Sequence, residues 1–222
     1  SKKTLEIIKS NAPKKFPQRG LKRSISDLQG FFEKKSNPLN VPIIPKELGG
    51  NPFKMREHQI NAYKEWINKD GKGVLWHATG SGKTITSLYT LSRLAKGPEG
   101  SKGQKIIAIM QIPTTPLADQ WVDELKNFNL QAIQCYGSRD KWFNELTNEI
   151  NFFKQREGPY ILPIVVLDKT YSLEPFQECL NQMLTQFKQN IFYICDECHR
   201  FASKGKTKKL PDVSLKMGLS GS

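Results

Sequence analysis

Trp76-His77-Ala78-Thr79-Gly80-Ser81-Gly82-Lys83-Thr84 is the stretch on which the reading of this chain turns. A short apolar run, Val74-Leu75-Trp76, leads into it, and Ile85, Leu88, Leu91, Leu94 and Ala95 recur at helical spacing behind it. Strand, glycine-containing loop, Lys-Thr and helix, in that order, is what a phosphate-binding loop requires. Glycines let backbone N–H groups turn inward around an anion. The helix that follows aims its positive end at the same point. Lys83 is then placed to reach terminal phosphates, and the Thr84 hydroxyl to hold Mg²⁺. The stretch departs from the strict pattern once, with His77 where the first glycine would stand. The competing reading is a tight strand-to-helix turn with a chance lysine. The Gly-x-Gly-Lys-Thr spacing between those two elements favours the phosphate loop.

Outward from this loop, the chain of 222 residues is long enough for one sizeable core. It carries 34 Lys and Arg against 21 Asp and Glu, a net charge of +13, which favours a polyanionic partner, nucleic acid first. A merely solvated lysine-rich surface is the plainer alternative. The four cysteines, Cys135, Cys179, Cys195 and Cys198, are too few for a disulfide framework, so a reducing, cytoplasmic compartment is expected. No apolar run approaches the ~20 residues of a membrane helix, and no secretory segment opens the sequence.

Residues 1–52 differ from the rest and read as a basic accessory arm with a proline-rich linker. Its first 35 residues hold ten Lys and Arg against three Asp and Glu. Short helices are expected around Leu5-Ile8 and Leu28-Phe32, then an extended segment from Asn37 to Pro45, where prolines forbid regular helix. Residues 53–222 form the main domain. A helix after Phe53 presents Ile60, Tyr63 and Ile67, with Trp66 beside them. Ile106–Met110 is apolar without alternation, as in a strand buried on both faces. Thr115-Pro116 starts a helix with a stripe of Leu117, Trp121, Leu125 and Phe128. Strands are expected at residues 132–136, 164–167, 191–195 and 213–219, with helices between the first three and a lysine-rich loop before the last. Such alternation predicts an α/β fold, a mostly parallel sheet with helices on both faces.

The second chemical feature is Asp196-Glu197-Cys198-His199, directly after an apolar strand. A phosphate-loop enzyme needs a carboxylate at the end of a buried strand to hold Mg²⁺, and Asp196 fits that place. A neighbouring carboxylate, Glu197, is placed to orient and deprotonate water. An ordinary acidic turn is the bland reading; the upstream Lys83-Thr84 weighs against it. Cys195 and Cys198 also make a Cys-x-x-Cys, but no second close pair completes a zinc site, and two intervening carboxylates disfavour thiolate. Cys195 is expected to be strand core.

These motifs resemble the superfamily-two helicases and translocases, in the branch of restriction-enzyme motor subunits and XPB-, RadD- and UvsW-like helicases. Residues 77–84, Asp196–His199 and Gly218–Ser222 correspond to motifs I, II and III, Arg56-Glu57-His58-Gln59 to the element ahead of motif I, and residues 112–121 to motif Ia; residues 166–173 match the next motif more weakly. The resemblance covers residues 53–222 and implies a RecA-like P-loop NTPase domain. It implies that Thr79, Gly80, Ser81, Gly82, Lys83 and Thr84 bind ATP, with Mg at Thr84 and Asp196. Gln59 would read the adenine edge beside Arg56. Glu197 would be catalytic with Lys83 and Asp196. His199 would couple to motif III through Ser220 and Ser222, although Gly221-Ser222 depart from the usual Ala-Thr. Thr114 and Thr170 would touch a nucleic-acid backbone; each also suits a helix cap. The implied function is ATP-driven movement on nucleic acid, DNA rather than RNA because the nearest branch acts on it, in restriction, defence or repair. A second RecA-like domain of the same polypeptide would supply an arginine worth ~10³–10⁵ in rate, so the domain alone is expected to be nearly inactive. Two alternatives stand beside this reading: a nucleic-acid or partner-binding module with a degenerate nucleotide site, and a small-molecule kinase on the same loop.

Overall fold

In the computed structural model, residues 39–201 and 210–221 are described. The basic arm before residue 39, the lysine-rich loop and Ser222 lie outside them. In chain order the elements are a two-strand ribbon, β1 (Glu47–Leu48) and β2 (Asn51–Pro52), then α1 (Glu57–Asn68), β3 (Lys72–Trp76), α2 (Lys83–Lys96), β4 (Lys105–Ile112) and α3 (Thr115–Asn127). There follow β5 (Ile133–Cys135), α4 (Arg139–Phe153), β6 (Tyr160–Leu167), the short α5 (Asp168–Tyr171), α6 (Glu174–Phe187), β7 (Ile191–Cys195) and β8 (Leu215–Ser220). The six longer strands form one parallel sheet in the order β3-β8-β7-β4-β6-β5.

Strand alternation divides the core into two layers. On β4, Ile106, Ala108, Met110 and Ile112 face one side, where Leu88, Leu91 and Ala95 of α2 and Trp121 and Leu125 of α3 pack with Trp66 of α1. Ile107 and Ile109 face the other, against Trp142, Leu146 and Ile150 of α4 and Phe176, Leu180 and Met183 of α6. Burial on both faces is why β6, β7 and the Ile106–Met110 run of β4 are apolar rather than alternating. The expected α/β architecture is the one found.

Several expectations change in detail. β6 starts at Tyr160, not Ile164, and carries Pro163 within it. The strand tolerates that proline because β5 pairs only from Ile164 to Val166, so the outer side of β6 has no ladder yet at residue 163. The segment from Leu39 belongs to the compact unit. Asn40 donates from its backbone N–H to Asn129 O at 3.2 Å and its side-chain oxygen accepts from Gln131 N–H at 2.8 Å, while Ile43 N–H donates to Phe128 O at 3.1 Å. In α1 the buried residues are Gln59 and Trp66, and Ile60 and Ile67 face solvent. Trp66 decides that orientation: its ring packs 5.1 Å from Phe192 and its indole N–H donates to Lys216 O at 2.9 Å.

Candidate functional site

The carboxyl ends of three neighbouring strands carry the motifs. Trp76 pairs with Ser220 across β3 and β8, and Cys195 pairs with Gly218 across β7 and β8. His77 N–H extends the first ladder to Ser220 O at 3.3 Å. The loop after β3, the end of β8 and the Asp196-Glu197 turn therefore share one edge of the sheet, where open α/β sheets bind ligands. A Cβ added at Gly221 would lie 3.2 Å from Thr79 Oγ1 and 3.8 Å from both Glu197 carboxylate oxygens, so loop and acidic turn meet across that glycine.

Within the loop, Gly80 and Gly82 have φ of +78° and +86°, values L side chains rarely adopt. Gly82 is the N-cap of α2, and no side chain caps that helix. The first-turn N–H groups of Lys83 and Thr84 are thus left for something else. Lys83 Nζ donates to His77 O at 2.9 Å and Ala78 O at 3.2 Å. The Ser81 hydroxyl is buried without a hydrogen-bond partner. His58 Nε2 donates to Ser81 O at 3.0 Å, and its ring lies 5.5 Å from that of His77. Burial, and then the charges of His58 and Lys83, lower the pKa of His77.

Asp196 is held from three directions. Its Oδ2 accepts from the Trp121 indole N–H at 2.8 Å, its Oδ1 accepts from Glu197 N–H at 2.9 Å, and its own N–H donates to Gln111 O at 2.9 Å. Burial raises its pKa; the Trp121 and Glu197 hydrogen bonds and the Lys83 charge pull it down, while the Glu197 charge raises it. Glu197 has φ of +48°, a strained value for a residue with a side chain, of the kind that collects at functional sites. His199 Nδ1 lies 3.1 Å from Ser220 Oγ and 3.3 Å from Glu197 Oε2, and Gly221 N–H donates to that same carboxylate oxygen at 3.4 Å. The motif II histidine and the β8 serine are thus in contact; Ser222 lies outside the described residues.

Other expected residues stand differently. Gln59 is 5% exposed: its Oε1 accepts from Arg56 N–H at 2.9 Å and its Nε2 donates to Gly82 O at 3.2 Å. Its amide is turned to the helix start and the loop; Arg56 is exposed at the N-cap of α1. Thr114 is exposed at the N-cap of α3 and makes no capping bond. Thr170 is 5% exposed inside α5, and the N-cap of α6 is Leu173. Residues not expected to matter also converge here. Gln111 donates to Asp168 Oδ1 at 2.7 Å, and Tyr193 O–H donates to Gln111 Oε1. A glutamine inside an apolar strand was the available signal for Gln111; Trp121 looked like one more member of a buried stripe.

This combination defines a RecA-like domain of superfamily-two helicase type. Residues 52–221 match the family model described as "Type III restriction enzyme, res subunit", and the chain belongs to that family. The endonuclease subunit of a Type I restriction enzyme from Staphylococcus aureus (strain MSSA476) is 28% identical over 189 residues, covering 79% of this chain and 18% of that protein. A protein described as "Putative helicase 22", from a Sulfolobus islandicus filamentous virus, is 25% identical over 123 residues, covering 51% of this chain and 21% of that protein. The chain therefore spans about a fifth of these relatives. Among solved structures, a nuclease-deletion mutant of the Type ISP restriction-modification enzyme LlaGI, in complex with a DNA substrate mimic, aligns with a TM-score of 0.55 at 19% identity, over 77% of this chain and 18% of that one. The Sulfolobus solfataricus SWI2/SNF2 ATPase core in complex with dsDNA aligns at 0.50 and 19% identity, over 84% and 34%. These two likenesses concern the fold. No described helix is long and apolar enough to cross a membrane.

Proposed function

We propose that this chain is the ATP-binding half of a DNA-dependent motor in a restriction system, with Mg-ATP as cofactor and a second RecA-like domain of the same polypeptide closing the site. What supports the reading is that the loop leading into Lys83 and the Asp196-Glu197 turn leave the carboxyl ends of strands in one three-strand stretch of the parallel sheet and approach each other across Gly221. The loop suits a phosphate: its two glycines open the backbone, the Ser81 hydroxyl lacks a partner, and Lys83 rests on carbonyls that an anion can displace. Gly80, Ser81, Gly82, Lys83 and Thr84 would hold the phosphates, with Thr79 at the mouth of the loop. Thr84 and Asp196 would hold the magnesium ion, which when bound supplies neutralisation of charge on the transferring phosphoryl group. Glu197 would take the proton from attacking water. Because Gly221 N–H and His199 hold one of its oxygens, the state of β8 reaches the base directly. The exposed Thr114 end of α3 is the favoured nucleic-acid contact.

Steady-state ATP hydrolysis by the full polypeptide, with and without duplex DNA, tests this. Lys83→Ala and Glu197→Gln are each expected to lower DNA-stimulated turnover by at least about 10²-fold, the loss usual when one charge-stabilising group is removed. Unchanged restriction by a Lys83→Ala polypeptide would instead favour a binding module with a degenerate site. Robust DNA-stimulated turnover by the 222-residue chain alone would remove the need for a second domain.

A further inference from the structure

Trp121 is 1% exposed and sits in the middle of α3, where its ring helps fill the core layer beneath β4. A leucine or phenylalanine would fill that layer as well. What only tryptophan brings is a neutral N–H that donates and never accepts. Buried indole N–H groups seek a partner, and here the partner is the Asp196 carboxylate, 2.8 Å away in a buried contact. The other two restraints on Asp196 are backbone groups, Glu197 N–H and Gln111 O. Among the described residues, Trp121 is thus the one side chain in the bonds that fix this carboxylate.

The consequence for the carboxylate is geometric. Oδ2 is engaged toward α3 and Oδ1 toward the turn, so rotation about the side-chain bonds would break one bond or both. Partners behind a metal-holding carboxylate set its direction, and their loss typically costs 10- to 100-fold in metal affinity or activity. We propose that Trp121 is a positioning residue that orients the Asp196 carboxylate for its metal from helix α3. This rests on the reading of Asp196 given above. It also places the restraint on the helix whose exposed first turn follows Thr114, so the carboxylate takes its direction from that helix.

Trp121→Phe, made in the full polypeptide, keeps the ring and removes the donor. The magnesium concentration for half-maximal ATP hydrolysis is expected to rise by about 10- to 100-fold, while the melting temperature stays within a few degrees of the parent. An unchanged magnesium requirement in a folded variant overturns the proposal. A wild-type polypeptide without ATP hydrolysis would instead sink the functional reading itself, so the two failures are separable. A second measurement needs neither turnover nor a variant at this position. The chain has four tryptophans, and in the 222-residue chain, labelled with ¹⁵N, the Trp121 indole resonance is assigned by replacing Trp66, Trp76 and Trp142 in turn. Titrating magnesium with ADP is expected to move that resonance in the wild type. Titrating ADP in a magnesium-free buffer is expected to leave it in place. A resonance unmoved by magnesium and ADP overturns the proposal even if Trp121→Phe fails to fold.

Discussion

β7 runs through the sheet interior between β4 and β8 with every residue buried, whereas β3 forms an edge, pairs among the described strands only with β8, and leaves Val74 and Trp76 exposed. Both strands end at the candidate site. At the end of β7, Asp196 is fixed by groups from α3, from β4 and from its own turn. At the end of β3, Lys83 and Gln59 hold carbonyls belonging to the loop itself. A buried carboxylate needs fixed partners, because leaving it unpaired away from water is costly. A loop meant to enclose an anion needs the opposite: donors engaged by groups that a phosphate can replace. The fold supplies the two conditions by giving one motif an interior strand and the other an edge.

The largest expected effect tests the difference between interior and edge. Phe192→Ala, in the middle of β7, removes a fully buried ring and the surface on which Trp66 packs, and should cost about 3–5 kcal/mol of unfolding free energy. Trp76→Ala, 65% exposed on the edge strand, should stay within about 0.5 kcal/mol despite removing a larger ring. Denaturant midpoints for the two variants decide it. Comparable losses would mean that the edge of β3 is covered, and the contrast between the strands would fall.

The next effect concerns how tightly the loop is held. Gly80→Ala and Gly82→Ala both force a side chain into a left-handed conformation, at roughly 1–2 kcal/mol each. At Gly80 the added methyl meets nothing within 4 Å, whereas at Gly82 it would stand 2.5 Å from Gln59 Nε2 and break the bond to Gly82 O. Gly82→Ala should therefore be the more destabilising, by about another 1 kcal/mol. Equal losses in chemical unfolding would show that the Gln59 amide is not pinned to the loop.

What was legible in the sequence follows from the same contrast. The phosphate loop and Asp196-Glu197 could be read because their chemistry is tied to local spacing, and the parallel sheet because Ile106–Met110 and Ile191–Cys195 are apolar without alternation. The strand order could not, since nothing within Lys72–Trp76 says that the strand has a single neighbour. That omission explains the misread face of α1. Ile60 and Ile67 keep the helical period, yet the edge offers a seat only to Trp66. The burial of Thr170 was illegible for a related reason: the rotation of a four-residue turn such as Asp168–Tyr171 depends on what it packs against, and that includes Asp168 bonded to Gln111. Pairings such as Trp121 with Asp196 join residues 75 positions apart, and no local pattern encodes them.

The smallest expected effect is a pH dependence, and it belongs to the edge side alone. His77 replaces the first loop glycine; its partial burial, the facing His58 ring and the nearby Lys83 ammonium all oppose its charging. Its pKa in the folded chain lies below the ordinary value of 6.5, so between the two values the unfolded chain binds more proton than the folded one. Stability from this group is accordingly present above pH ~6.5 and lost as pH falls through the lowered folded value. Thermal unfolding of the wild type and His77→Gln should be measured from neutral to mildly acidic pH. Acidic groups titrate alike in both, so the difference between the curves isolates residue 77. The wild type should lose stability relative to the variant as the solution is acidified. Parallel curves would mean that the loop admits a proton there without resistance, and that its edge position leaves His77 as well solvated as a free imidazole.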